Sequence, residues 1–217
     1  MRDTRRLLCG LAAAGMPLLA QALDGITDRP GDFLATFAGS STSTDLDVLS
    51  ATVTYDASSD LFMLSSTMSG AIGGTPTGFY VWGVNRGAGT AGFAANGIDG
   101  VRFDRVVLLR PDGTGSVGGA GNLPAGSVTI SGNTITGIVS GALLPSTGFD
   151  KRDYTWNLWP RDGSFSGFAA ISDFAPDNAS FTSTPGPVPE PSTYALMLAG
   201  IAAVGWAARR RGTRAGA

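Results

Sequence analysis

Any covalent or metal chemistry in this chain has to come from aspartate. Between Leu23 and Pro187 there are fifteen aspartates, no histidine and no cysteine. A serine nucleophile therefore has no imidazole to activate it, and zinc has none of its nitrogen or sulfur ligands. Two uses of carboxylates stay open, glycoside cleavage by a pair of them and capture of a hard cation by oxygen alone. The contexts argue against the first: Asp56, Asp60, Asp112, Asp162 and Asp177 stand among Gly, Ser, Pro or Asn, where a short carboxylate caps its own turn. For a cation, Asp45-Leu46-Asp47 opens one candidate loop, and Asp173 with Asp177 and Asn178 another. No twelve-residue EF-hand fits, because Gly and Glu are missing at the required offsets after Asp45, and both groups read as solvated turn residues. Lys151 lies near Asp150 and Asp153 and reads as an exposed charged loop. No catalytic residue, metal or cofactor is expected.

Aromatic rings offer the other route to a ligand. Tyr80, Trp82, Tyr154, Trp156 and Trp159 concentrate in two short stretches, with Arg86 and Arg161 close behind them. A sheet face exposing such rings stacks on sugars, and the guanidinium groups reach hydroxyl or anionic substituents. The candidate ligand residues are Trp159, Trp82, Tyr80, Arg86 and Arg161. Core packing is the competing reading and is preferred for Trp82 and Trp156, whereas Trp159, beside Pro160 at a strand end, is expected at the surface.

The elements that position these groups read as strands. No stretch between Leu23 and Pro187 sustains a helical period over three turns. Leu49, Ala51, Val53 and Tyr55 alternate with polar residues, and Phe62, Leu64, Ser66 and Met68 line one face of the next segment. Phe79 to Val84 is apolar on both faces, as a central strand requires. Val101 to Leu109 follows and ends at the turn Pro111-Asp112-Gly113. Ser131-Gly132-Asn133 separates two β-branched runs and predicts a hairpin, and Tyr154 to Trp159 is a further aromatic strand.

A long-range similarity organises these strands. Ser69-Gly70-Ala71-Ile72 returns as Ser140-Gly141-Ala142-Leu143, Tyr80-x-Trp82 as Tyr154-x-Trp156, and Gly92-Phe93-Ala94-Ala95 unchanged as Gly167-Phe168-Ala169-Ala170. This predicts an internal duplication, about 53–99 and 128–173, related by a pseudo-twofold. The fold class expected is all-β: a single β-sandwich over 23–175, in which two similar units pack face to face. Residues 176–187, rich in Pro, Ser and Thr, are expected to form a linker.

The two ends differ in kind from this middle. Arg2, Arg5 and Arg6 precede an apolar run from Leu7 to Ala20, and Ala20-Gln21-Ala22 fits a small-x-small cleavage site, so 1–22 reads as a signal peptide for general secretion. With both ends removed, eight basic residues face fifteen aspartates, a net charge of −7. That balance excludes nucleic acid as a partner. At the other end, Val188-Pro189-Glu190-Pro191 holds the only glutamate of the 217 residues, clamped between prolines. An uncharged run, 193–208, follows; as a helix it is roughly 24 Å long, short but sufficient for a thin bilayer. Arg209, Arg210 and Arg211 then form a basic anchor that favours the cytoplasmic side.

The order proline-glutamate-proline, short apolar helix, basic end resembles the PEP-CTERM sorting signal. In Gram-negative bacteria that make extracellular polysaccharide, the resemblance implies processing near the motif by the membrane enzyme exosortase. The partners implied are exosortase, the general secretion machinery and the lipid bilayer before processing, with extracellular polysaccharide afterwards. The function expected is that of an exported surface or matrix protein without catalytic activity. The alternative is a carbohydrate-binding sandwich or, further off, a hydrolase.

Overall fold

The structure, a computed structural model, describes residues 25–186 and 197–202. Among the described residues twelve strands run in chain order: β1 (Ile26–Thr27), β2 (Val48–Asp56), β3 (Leu61–Met68), β4 (Gly78–Asn85), β5 (Arg105–Leu109), β6 (Gly115–Val117), β7 (Gly121–Asn122), β8 (Val128–Ser131), β9 (Thr134–Ser140), β10 (Thr155–Asp162), β11 (Phe181–Thr182) and β12 (Thr184–Pro185). They form two sheets of six. The first has the order β1-β2-β3-β9-β8, with β12 sharing the outer edge of β2, and the second β11-β10-β4-β5-β6-β7. All pairings are antiparallel except β12 on β2.

Local patterning explains most of these strands. In β3, Phe62, Leu64, Ser66 and Met68 are buried while Leu61 and Met63 face outward, which is the alternation of a pleated strand. In β2 the register slips between Val48 and Ser50, and the buried set moves from Val48 to Ala51 and Val53. The hairpin β8–β9 closes through Gly132-Asn133, with Ser131 opposite Thr134 and Gly132 at φ 61°. The strand expected over Val101 to Leu109 forms only from Arg105. Ahead of it, Phe103 pairs instead with Thr90 and folds the chain back over the outer face of the second sheet.

The two aromatic strands β4 and β10 lie side by side at the centre of the second sheet, Trp82 opposite Leu158 and Val84 opposite Trp156. Their alternation divides the interior in two. Tyr80, Trp82, Val84, Trp156 and Leu158 point at Val53, Phe62, Leu64, Ile135 and Val139 of the facing sheet and make the main core. Val81 and Trp159 point the other way, into a second cluster with Val101, Ile171 and Phe174, packed by Phe93, Phe103 and Phe168.

Two expectations are corrected here. The stretches 53–99 and 128–173 do not form one sheet each and pack face to face: β2, β3, β8 and β9 share the first sheet, and β4 and β10 share the second. The reason is pairing chemistry, since β3 bonds along its length to β9 and β4 to β10, leaving no edge between the stretches. Nor do residues 176–186 form a linker. Asn157 Nδ2 donates to Pro176 O at 2.6 Å and Ala179 O at 2.9 Å, β11 pairs with β10, and β12 crosses to β2.

The signal peptide at 1–22, the motif Val188–Pro191 and the anchor Arg209–Arg211 lie outside the described residues. Of the expected span 193–208, residues 197–202 are described and are helical, with Leu198 and Ile201 exposed and contributing nothing to the β core. Among the described residues no helix is long and apolar enough to cross a membrane.

Candidate functional site

The five residues expected to form a ligand face do not converge. Tyr80 and Trp82 are fully buried in the main core, and the Tyr80 hydroxyl donates to Asp45 O at 2.8 Å. Trp159 is 2 % exposed, against the expectation that it stands at the surface. Its parity in β10 does direct it outward from the sheet, but loops cover it, with the rings of Phe103 and Phe93 at 5.0 and 5.1 Å. Space for its indole comes from Gly83, where a Cβ would run into the ring. Arg86 is buried, its Nε 2.8 Å from Asp104 Oδ1 and its Nη1 donating to Pro145 O at 2.8 Å. Arg161 donates to Gly167 O at 2.7 Å, and burial lowers its affinity for its proton. All five serve packing or loop attachment.

Several aspartates do what their contexts predict. Asp56 accepts from Ser58 Oγ at 2.7 Å and Ser59 Oγ at 2.6 Å, and these hydroxyls hold its carboxyl down at about 2. Asp112 caps Thr114 in the turn after β5, and Asp162 caps Ser164. Lys151 is not a free charge, because its Nζ contacts both Asp60 oxygens at 2.7 Å.

Six other aspartates behave differently. Asp45 and Asp47 flank Leu46 and part company: Asp45 is buried and accepts from Thr75 N and Oγ1, both at 2.7 Å. Asp47 turns the opposite way and takes the Gly31 N–H on both oxygens at 3.0 Å. There it meets Asp173, whose oxygens accept from Val48 N at 3.0 Å and Phe174 N at 2.7 Å. Ligand atoms of Asp32, Asp47 and Asp173 lie within 4.8 Å of one another, as do those of Asp28, Asp32 and Asp177. Asn178 takes no part; it binds Asp99 and Gly100.

This cluster carries an electrostatic load. Asp47 and Asp173 are 2 % and 1 % exposed, so the reading of solvated turn residues is corrected for them and for Asp45, whereas Asp177 and Asn178 are exposed. Burial pushes Asp173 up to about 8, with the charges of Asp28 and Asp32 adding to the rise against the Val48 and Phe174 N–H groups. Burial likewise pushes Asp28 up to about 6, and it raises Asp32. The sequence offered Asp47, Asp173 and Asp177 in two unrelated loops, and Asp28 and Asp32 not at all. Their one local cue is an Asp-x-x-x-Asp spacing across Pro30-Gly31, which is too common to single out.

Glycoside cleavage by a pair of carboxylates needs an open cleft, and Asp47 and Asp173 are both buried. Chemical identity comes instead from the end of the chain. No curated protein and no solved structure matches the sequence. Residues 187–211, directly after the glycine that binds Tyr55 O, match the family model of the PEP-CTERM protein-sorting motif. This chain accordingly carries the PEP-CTERM protein-sorting motif over residues 187–211, a motif that indicates an exported protein sorted by exosortase.

Proposed function

We propose that the protein is exported through its N-terminal signal, held in the inner membrane through 193–208, and cleaved near Val188–Pro191 by exosortase. The β domain then remains at the cell surface or in the extracellular matrix as a non-catalytic structural or interaction component, associated with exopolysaccharide. The observation that carries this reading is the motif at 187–211, which begins two residues after β12 ends at Pro185. The absence of histidine from the chain and the burial of the expected ligand rings favour a structural role over a carbohydrate-binding or hydrolytic one.

The proposal extends to the architecture. Sheet orders β2-β3-β9-β8 and β5-β4-β10-β11 place corresponding strands of the two similar stretches as antiparallel neighbours, β3 with β9 and β4 with β10. A twofold relating duplicated units would generate that arrangement.

Mass spectrometry of the protein from its native host tests the processing. The expected mature species begins at Leu23 and lacks Thr193 to Ala217, and Glu190→Ala leaves the untrimmed chain in the membrane. Trimmed product from the variant would contradict the role given to the motif.

A further inference from the structure

The five clustered carboxylates sit in a seam between three distant parts of the chain. The segment after β1 enters it by Asp28 N donating to Leu49 O at 2.9 Å and Leu34 N donating to Ser172 O at 2.8 Å. Asp28 and Asp32 come from that segment, Asp47 from the start of β2, and Asp173 and Asp177 from the chain after β10. Two triads of carboxylate oxygens share Asp32, each with its atoms within 4.8 Å of one another.

Independent of that proximity, Asp28 Oδ2 and Asp32 Oδ1 are shielded from solvent and accept no hydrogen bond. Buried acceptors without donors are rare and call for a partner. Both belong to carboxylates of the triads. The more deeply buried Asp47 and Asp173 receive only backbone N–H groups, and Asp47 divides a single N–H between its two oxygens. The ion pairs among the described residues, Arg86–Asp104 and Lys151–Asp60, involve none of the five. Arg29 lowers Asp32 by its charge but forms no ion pair with it.

We propose that this seam is a calcium site, with Asp32 as the shared ligand and Asp28, Asp47, Asp173 and Asp177 around it. The donors are all oxygen, which suits a hard cation. Calcium bonds of about 2.3–2.6 Å place opposite ligands up to about 5 Å apart, matching the span of each triad. Magnesium fits less well, since it keeps several waters and binds through one or two carboxylates, whereas this set offers five. Bound calcium fastens the N-terminal segment and the chain around Asp173 to the start of β2, so the cation acts as a clamp on the folded domain.

The full-length protein in detergent, titrated with calcium chloride alone, tests this. Calorimetry is expected to show saturable heat, and the melting temperature in about 5 mM calcium to exceed that in EDTA by about 5 °C or more. Asp32→Asn is expected to abolish the calcium shift, while in EDTA it melts no lower than the parent, because one charge of a repelling cluster has gone. Asp112→Asn, which caps a remote turn, keeps the full shift. The proposal is overturned by no heat and no shift in the parent, by an equal shift with magnesium, or by an Asp32→Asn variant that still responds to calcium. The parent titration stands by itself should a variant fail to fold.

Discussion

Arg86 Nε lies 2.8 Å from Asp104 Oδ1, and the two side chains are 4 % and 11 % exposed. The pair joins the end of β4 to the loop before β5, and through Pro145 O to the chain after β9. Arg86→Met leaves Asp104 buried without its counter-charge, an expected loss of about 3 kcal/mol. Denaturant unfolding of the parent and variant checks it.

The same pair has a signature in acid. Burial alone would raise the Asp104 carboxyl, but bonds from Thr147 and Arg86 outweigh it and lower it below the ordinary value. A carboxylate depressed in the folded state adds stability that is present above its unfolded value, about 4, and is lost as pH falls through the folded value. The parent is therefore expected to lose more stability than Arg86→Met over that acid limb, read as melting temperature against pH. Parallel curves for the two proteins would refute the assignment.

Lys151 and Asp60 make the opposite case. Their contact is as short, 2.7 Å, but the side chains are partly solvated. Lys151→Met is expected to cost about 0.5 kcal/mol and no more than about 1. In about 1 M salt the difference from the parent vanishes, because exposed charges are screened at that strength.

Trp159 and Gly83 form a steric pair across β10 and β4. Trp159→Ala empties the second cluster and is expected to cost about 3–5 kcal/mol. Gly83→Ala drives a methyl group into the indole and costs about 1–3 kcal/mol. In the double variant the methyl occupies vacated space, so the combined loss is smaller than the sum, a coupling that a double-mutant cycle measures. Strict additivity would show that the two side chains do not compete for the same volume.

Gly132 holds a left-handed conformation at φ 61° in the β8–β9 turn, with open space around it. The penalty for Gly132→Ala is therefore conformational, about 1–2 kcal/mol, and not steric. A melting-temperature decrease with unchanged secondary structure is the expected readout.

Local physics made part of this protein legible in the sequence alone. Phe62, Leu64, Ser66 and Met68 fall on one side of a pleat whatever the strand packs against, and Gly132-Asn133 turns the chain because glycine accepts positive φ. The sorting tail was readable for the same reason, since its proline clamp, apolar run and arginines are consecutive. Tertiary structure decided the rest. Trp159 is outward by parity yet buried, because Phe93, Phe103 and Phe174 arrive from other loops. Asp45 and Asp47 are two residues apart and end in separate environments, whereas Asp47 and Asp173 are far apart in sequence and share one. A side chain's direction follows from its own backbone, but its dielectric surroundings and charged neighbours depend on which remote segments fold against it.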